Sequence, residues 1–363
     1  MASDKLRVGM VGAGSYARNH LEAWNNSGAD VVCIWNRSPE KAQRLADEFD
    51  VPTVCADLDE LITGDDVDVV SVSMPHNMHH PICLAAIQAG KHVFCEKPLG
   101  LSLVEAQELW QASREAGVKT GMQFIHRSRP ALRKMQALIA DGYLGQPQYA
   151  ELKLGMDVAR DPQAPLIWRF NKSIAGSGVL GDLGVYMIDM ARWMWGEFDR
   201  VVGDTATWIT ERPTVSDRYD LHQVMQMMRE DTVPDTGETA PVETDDEAQF
   251  MAVFGNGAQG FFRVSYFHEG RLQRFHGSEG VLSWDPAEKR LLGKSGYGGT
   301  LEEIDVPEVE TPATIVTQFV DNIRDNTDLA PTFFDGVRAQ EVMAAVSLSA
   351  QESRWVSLPL ESA

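Results

Sequence analysis
Cysteine is scarce in this 363-residue chain, and histidine is scattered. Cys33, Cys55, Cys83 and Cys95 lie in the first hundred residues without zinc-type spacing, which points to buried free thiols rather than disulfides or a metal. The nine histidines include no H-E-x-x-H, so a zinc hydrolase is not expected. No uninterrupted apolar run reaches the ~18 residues that span a bilayer. The start MASDKLRVGMVG lacks the cationic and apolar regions of a signal peptide, so the cytoplasm is the expected compartment. Positive charge is also in deficit. With 53 acids against 32 bases and a formal net charge of −21, neither nucleic acid nor an anionic membrane is an expected partner.

What is present reads as an α/β chain of two domains. The apolar runs LRVGMVG, ADVVCIWN, VDVVSVSM and HVFCEKP alternate with helical patterns, as in a doubly wound parallel sheet buried on both faces. This Rossmann-type pattern covers residues 1–127. From 128 to 363 the grammar changes: a helix in RPALRKMQALIADGYLG is followed by strands such as EAQFMAVFG and AQGFFRVSYF with glycine turns, as in an open, mostly antiparallel sheet. The acidic, proline-punctuated stretch 212–246 reads as an insertion, a helix followed by an exposed loop.

The first strand runs into GAGSYA, where Gly12, Gly14 and Ala17 fill the G-x-G-x-x-G/A pattern. Gly12 permits the tight turn, Gly14 the approach of a pyrophosphate, and Ala17 close helix packing; Ser15 and Tyr16 complete the cofactor-contacting turn. An NAD site would place an acid at the end of the second strand. Here Asn36 and Arg37 stand there, which favours NADP(H) through pairing with a 2′-phosphate; NAD(H) is the alternative if Arg37 is only a solvated loop residue. Pro75 and Glu96-Lys97-Pro98 end two further strands at the same carboxyl edge, where ligands bind in this topology. A lysine there can hydrogen-bond a substrate hydroxyl and favour ionisation of a nearby phenol.

In GSGVLGDLGVYMIDMARWMWG, Asp182, Tyr186 and Asp189 fall at steps of four and three, which predicts one shared helix face. Asp189 is read as scaffolding.

Together GAGSYA, AGKHVFCEKP, RSRPALRKMQALIADGYLG, WRFNKSIAGSGVLGDLGVYMID and HGSEGVLSWD resemble the glucose-fructose oxidoreductase / inositol dehydrogenase / MocA (Gfo/Idh/MocA) family over nearly the whole chain. The resemblance implies an NAD(P)-dependent oxidoreductase that moves a hydride between nicotinamide and a carbinol or carbonyl carbon of a sugar, polyol or related cyclic substrate. It implies a homo-oligomer, dimer or tetramer, formed through the C-terminal sheet. By position, Lys97 matches the family's catalytic lysine, Asp182 its substrate-orienting aspartate, and His79 the histidine after the Pro75 turn. Trp168 and Arg169 match a pair near the cofactor in relatives, or are a buried tryptophan with a structurally paired arginine. Gln123, His126 and Arg127 are candidate pocket residues. Many members have histidine where this chain has Tyr186, so it resembles the D-x-G-x-Y branch, with Tyr186 as acid-base residue. A tyrosine titrates near ~10 against ~6.5 for histidine, so it needs a cation such as Lys97 to ionise at neutral pH. Two alternatives stand beside a dehydrogenase: a tightly held nucleotide used in transhydrogenation, epimerisation or glycoside cleavage, and a non-catalytic nucleotide-sensing regulator.

Overall fold
A computed structural model describes residues 5–157, 159–215, 219, 221–230, 232–233, 237–307, 314–328 and 331–360. The chain divides into two compact units, Met1–Ile125 with Ala313–Val337, and His126–Pro312 with Arg338–Ala363.

The first unit alternates β1 (Arg7–Val11), α1 (Ser15–Asn25), β2 (Asp30–Trp35), α2 (Pro39–Phe49), β3 (Thr53–Val54), α3 (Leu58–Thr63), β4 (Val69–Val72), α4 (His79–Gln88), β5 (His92–Cys95), α5 (Leu103–Ala116) and β6 (Thr120–Met122). The strands form one parallel sheet in the order 3-2-1-4-5-6, the doubly wound arrangement expected. Its central strands are buried apolar runs because helices cover both faces. Local signals set the helix starts. Asp57 accepts from the Glu60 amide at 2.7 Å before α3, and Ser102 accepts from the Glu105 amide at 3.2 Å before α5. All four cysteines are buried thiols.

One element of this unit comes from far along the chain. The helix Ile315–Asp325, capped by Thr314, puts Ile315, Val316, Phe319 and Val320 into the same core as Val8, Leu21, Trp24 and Phe94. Phe319 lies 5.5 Å from the Phe94 ring and 6.3 Å from that of Trp24. Phe319→Ala should therefore cost about 3–5 kcal/mol through the cavity it leaves. Denaturant unfolding checks this; a loss below about 1 kcal/mol would mean that the helix is not part of the core.

The second unit holds α6 (Pro130–Ala140), β7 (Pro147–Gly155), α7 (Lys172–Ala175), α8 (Val185–Trp195), β8 (Phe198–Ala206), β9 (Glu211–Pro213), α9 (Leu221–Glu230), β10 (Thr239–Pro241), β11 (Glu247–Phe254), β12 (Gln259–Ser265), β13 (Gly270–Gly277), β14 (Gly280–Asp285), β15 (Arg290–Ser295), β16 (Glu302–Glu303) and β17 (Val356–Ser357). Nine of these strands make one sheet in the order 16-15-14-13-7-12-11-8-17. Only the β7–β12 pair is parallel, so the sheet is mostly antiparallel as expected. One face carries an aromatic core in which Phe250 stacks on Phe262 at 4.4 Å and Trp195 meets Phe275 at 5.1 Å. Strand alternation leaves Tyr149 and Met251 exposed.

The stretch Lys172–Trp195 is long and apolar enough to cross a bilayer by length and composition, yet 78% of that window is buried inside the fold. Its apolarity serves packing. Within 212–246, α9 is the expected helix, but β10 pairs with β9 where an exposed loop was expected. Arg212 anchors the base of this segment: fully buried, it donates to the carbonyls of Ala159, Asp161 and Ala164. Residues 216–218, 220, 231 and 234–236 of that stretch lie outside the described residues.

Candidate active site
The carboxyl edge of the first sheet gathers three turns. After β1, Gly12 adopts φ +112°, and a Cβ there would stand 2.1 Å from the Ser73 carbonyl oxygen, so only glycine fits. Gly14 faces open space, which leaves room for a pyrophosphate against the positive end of α1. Asn36 supports the turn from β2: its Oδ1 accepts from the Ala13 amide at 3.2 Å and its Nδ2 donates to the Ser38 carbonyl at 3.1 Å. Arg37 is exposed, with no ion pair among the described residues. Ser15 and Tyr16 open α1 at the same edge.

The turns after β4 and β5 are tied together by His79, which is fully buried. Its Nδ1 lies 2.7 Å from the Pro98 carbonyl and its Nε2 2.8 Å from that of Met74, beside Pro75. Burial pulls its pKa down against the raising effect of both carbonyls. Lys97 is 6% exposed and precedes a cis Pro98. Glu96 beneath it is engaged on both oxygens: Oε1 lies 3.1 Å from His20 Nε2, and Oε2 accepts from the Lys97 amide at 3.2 Å. Burial alone would raise the Glu96 pKa, but the hydrogen bond from His20 and the charges of His20 and Lys97 hold it below its ordinary value. His20 in turn rests 3.0 Å from Ser71 Oγ, which also accepts from Trp24 Nε1 at 2.9 Å. Gln123 is buried just after β6, its amide bonded to the Cys95 carbonyl.

In the second unit, the expected single helix face needs correction. Residues Leu180–Gly184 form a π-helical turn that leads into α8, so Asp182 does not follow α-helical spacing. Asp245 shapes this entry, its carboxylate accepting from the amides of Gly178 at 2.7 Å and Leu180 at 2.8 Å. Asp182 is 4% exposed and its Oδ2 accepts from Tyr266 Oη at 3.0 Å and Arg169 Nε at 3.2 Å. Burial and the neighbouring carboxylate push the Tyr266 phenol far above its usual pKa, so it stays a donor. Arg169 also lies 4.4 Å over the Trp168 ring.

Asp189 belongs to a different cluster. Fully buried, it receives Arg127 on both oxygens, at 2.8 and 2.5 Å, and its Oδ2 lies 2.8 Å from His126 Nε2. Burial would raise its pKa, but the Arg127 charge and the two hydrogen bonds hold it at about 2. The same burial lowers the His126 pKa against the pull of Asp189. The His126 ring meets the Tyr186 ring edge-on, centroids 5.8 Å apart. Thus Trp168, Arg169 and Asp182 converge, as do His126, Arg127, Tyr186 and Asp189. In the second unit Tyr266 and Asp245 hold Asp182 and its turn, and in the first unit His20, seated on Ser71, holds Glu96; none of these four was singled out in the sequence. A tyrosine just past a strand carries no motif, and an aspartate in an acidic stretch is one of many.

Residues 6–124 match the model of the oxidoreductase family with an NAD-binding Rossmann fold, and residues 132–283 match that of the GFO/IDH/MocA C-terminal domain. The levoglucosan dehydrogenase of Pseudarthrobacter phenanthrenivorans is 30% identical over 99% of both chains. An inositol 2-dehydrogenase of Acidothermus cellulolyticus is 32% identical over 65% of this chain and 67% of its own. Among solved structures, a complex of levoglucosan dehydrogenase with NADH and levoglucosan superposes with a TM-score of 0.87 at 27% identity, covering 98% of this chain and all of that one.

Proposed function
Since the chain belongs to the Gfo/Idh/MocA family of oxidoreductases, we propose that it is an NAD(P)-dependent dehydrogenase or reductase acting on a CH–OH carbon of a sugar, polyol or related cyclic substrate. The observation that carries this reading most directly is the oriented acid ahead of Tyr186. Asp182 sits in a buried π-helical turn, held by Tyr266 and Arg169. Burying a charged pair is costly, and irregular turns of this kind concentrate at working sites.

The first unit fits the cofactor: Gly12 makes the turn, Gly14 leaves space and α1 presents its amides. Bound nicotinamide supplies the hydride acceptor in oxidation and the donor in reduction. In oxidation, Tyr186 takes the substrate hydroxyl proton, Lys97 hydrogen-bonds the same oxygen and favours the phenolate, and Asp182 fixes an adjacent hydroxyl. Reduction reverses these roles. Tyr266 and Arg169 keep the Asp182 carboxylate in one orientation.

NADP(H) is the favoured cofactor, because the end of β2 offers Asn36 and an exposed Arg37 without an ion pair instead of a ribose-binding acid. The working form is a cytoplasmic homo-oligomer joined through the C-terminal sheet, where Tyr149 and Met251 are uncovered. A screen of levoglucosan, inositols and aldoses with both nucleotides tests the reading. Nicotinamide absorbance should change with at least one carbinol substrate, and kcat/KM should favour NADP+. Arg37→Ala should cut that preference about tenfold or more. No turnover with any substrate defeats the function, and an unchanged preference in the variant defeats the role of Arg37.

A further inference from the structure
Three arginines near α8 are held by carboxylates. Arg127 grips Asp189, Arg169 bonds Asp182 and Arg192 pairs with Glu197. Arg129 and Arg271 are exposed, and neither forms an ion pair among the described residues, in a chain with 53 acids.

Both lie on elements that border the start of α8. Arg129 stands at the head of α6, two residues after Arg127 and three after His126, so the grip on Asp189 and the edge contact with Tyr186 fix its backbone beside the start of α8. Arg271 is the second residue of β13. Strand alternation puts it on the face of Gln273 and Phe275, which are buried under the helices, and Gln273 Nε2 reaches Met187 Sδ at 4.0 Å, next to Tyr186. Arg271 therefore leaves the sheet on the α8 side, at the open end of the strand. The two guanidiniums feel one another: although solvent reaches the Arg129 side chain, partial enclosure by its neighbours and then the charge of Arg271 lower its pKa, while Tyr186 raises it. Like charges brought together without a carboxylate repel, and a bound anion relieves that repulsion.

We propose that the substrate carries an anionic group, a carboxylate or a phosphate, which Arg129 and Arg271 receive beside Tyr186. Guanidiniums suit this role because their planar donors match both anions in pairs. The inference rests on the sugar or polyol reading above and names the class within it: an acidic sugar rather than a neutral one.

The test compares glucose, glucuronate and glucose 6-phosphate with saturating nucleotide. One acidic compound should exceed glucose in kcat/KM by about ten- to hundredfold, and the margin should shrink with added salt. Which of the two wins separates carboxylate from phosphate. In an Arg129→Gln, Arg271→Gln double variant the acidic-to-neutral ratio should fall to about one. Arg→Lys at both sites should recover part of it, since charge without the planar fork remains. Equal or better use of glucose, or a ratio unchanged by the double variant, overturns the inference. Should none of the three be turned over, calorimetric titration of glucuronate and glucose 6-phosphate into nucleotide-loaded protein decides. Binding that weakens at least about tenfold in the double variant supports the site even if the reaction proposed above is wrong, and equal affinity rejects it.

Discussion

Tyr186→Phe should lower kcat by about 10²- to 10⁴-fold while the Kd for nicotinamide nucleotide stays within about twofold. The substitution removes one oxygen and keeps the ring, so the edge contact with His126 at 5.8 Å and the packing of α8 are retained. On the proposed role, the substitution removes proton exchange with the substrate oxygen. The phenol is a poor base unaided, with a reference pKa near ~10, so the pH profile adds a second check. Activity in the unmutated enzyme should rise toward alkaline pH with the phenolate population, and that limb should flatten in the variant. A variant with kcat within about threefold of the original would remove Tyr186 from the chemistry.

Asp189→Asn should destabilise the protein by about 3–5 kcal/mol. The replaced group is fully buried and is the common acceptor for Arg127 and His126, so the amide leaves a guanidinium in the interior without a counter-charge. The pH dependence has a definite sign. The Asp189 pKa is held at about 2, below the unfolded carboxylate value near ~3.9. Its contribution is therefore complete above about pH 5 and is lost as pH falls through 4 toward 2. Unfolding free energies measured between pH 7 and pH 3 should decline less steeply in the variant. A loss below about 1 kcal/mol at pH 7 would show that Arg127 finds another partner.

Much of this was legible in the residues. GAGSYA, the Glu96-Lys97-Pro98 turn and the alternation of apolar runs are local signals, and local signals fixed the first sheet and its carboxyl edge. Asp182 and Tyr186 were visible for the same reason. The π-helical turn was not, because it depends on Asp245 reaching back across more than sixty residues to the amides of Gly178 and Leu180. Tyr266 was equally hidden: its hydroxyl matters only because strand β12 ends opposite the turn that bears Asp182. His126 and Arg127 stood out as polar residues after a strand. Their fixation on Asp189, a residue that looked like helix scaffolding, emerges only when α8 and the start of α6 are side by side. Long-range pairings of this sort leave no periodicity to read.

The helix Ile315–Asp325 has a bearing on how the molecule is made. Strands β1 to β6 are all synthesised by residue 122, but Phe319 and its neighbours close the core around Trp24 and Phe94. At ribosomal speeds the intervening 200 or so residues take roughly 10–40 s to appear. During that interval the nascent nucleotide-binding unit exposes an apolar face with nothing of its own to cover it. The second unit waits longer still for its last piece, since Arg338–Ala363 with the edge strand β17 belongs to it, so the sheet of neither unit is fully covered or paired until that stretch has emerged.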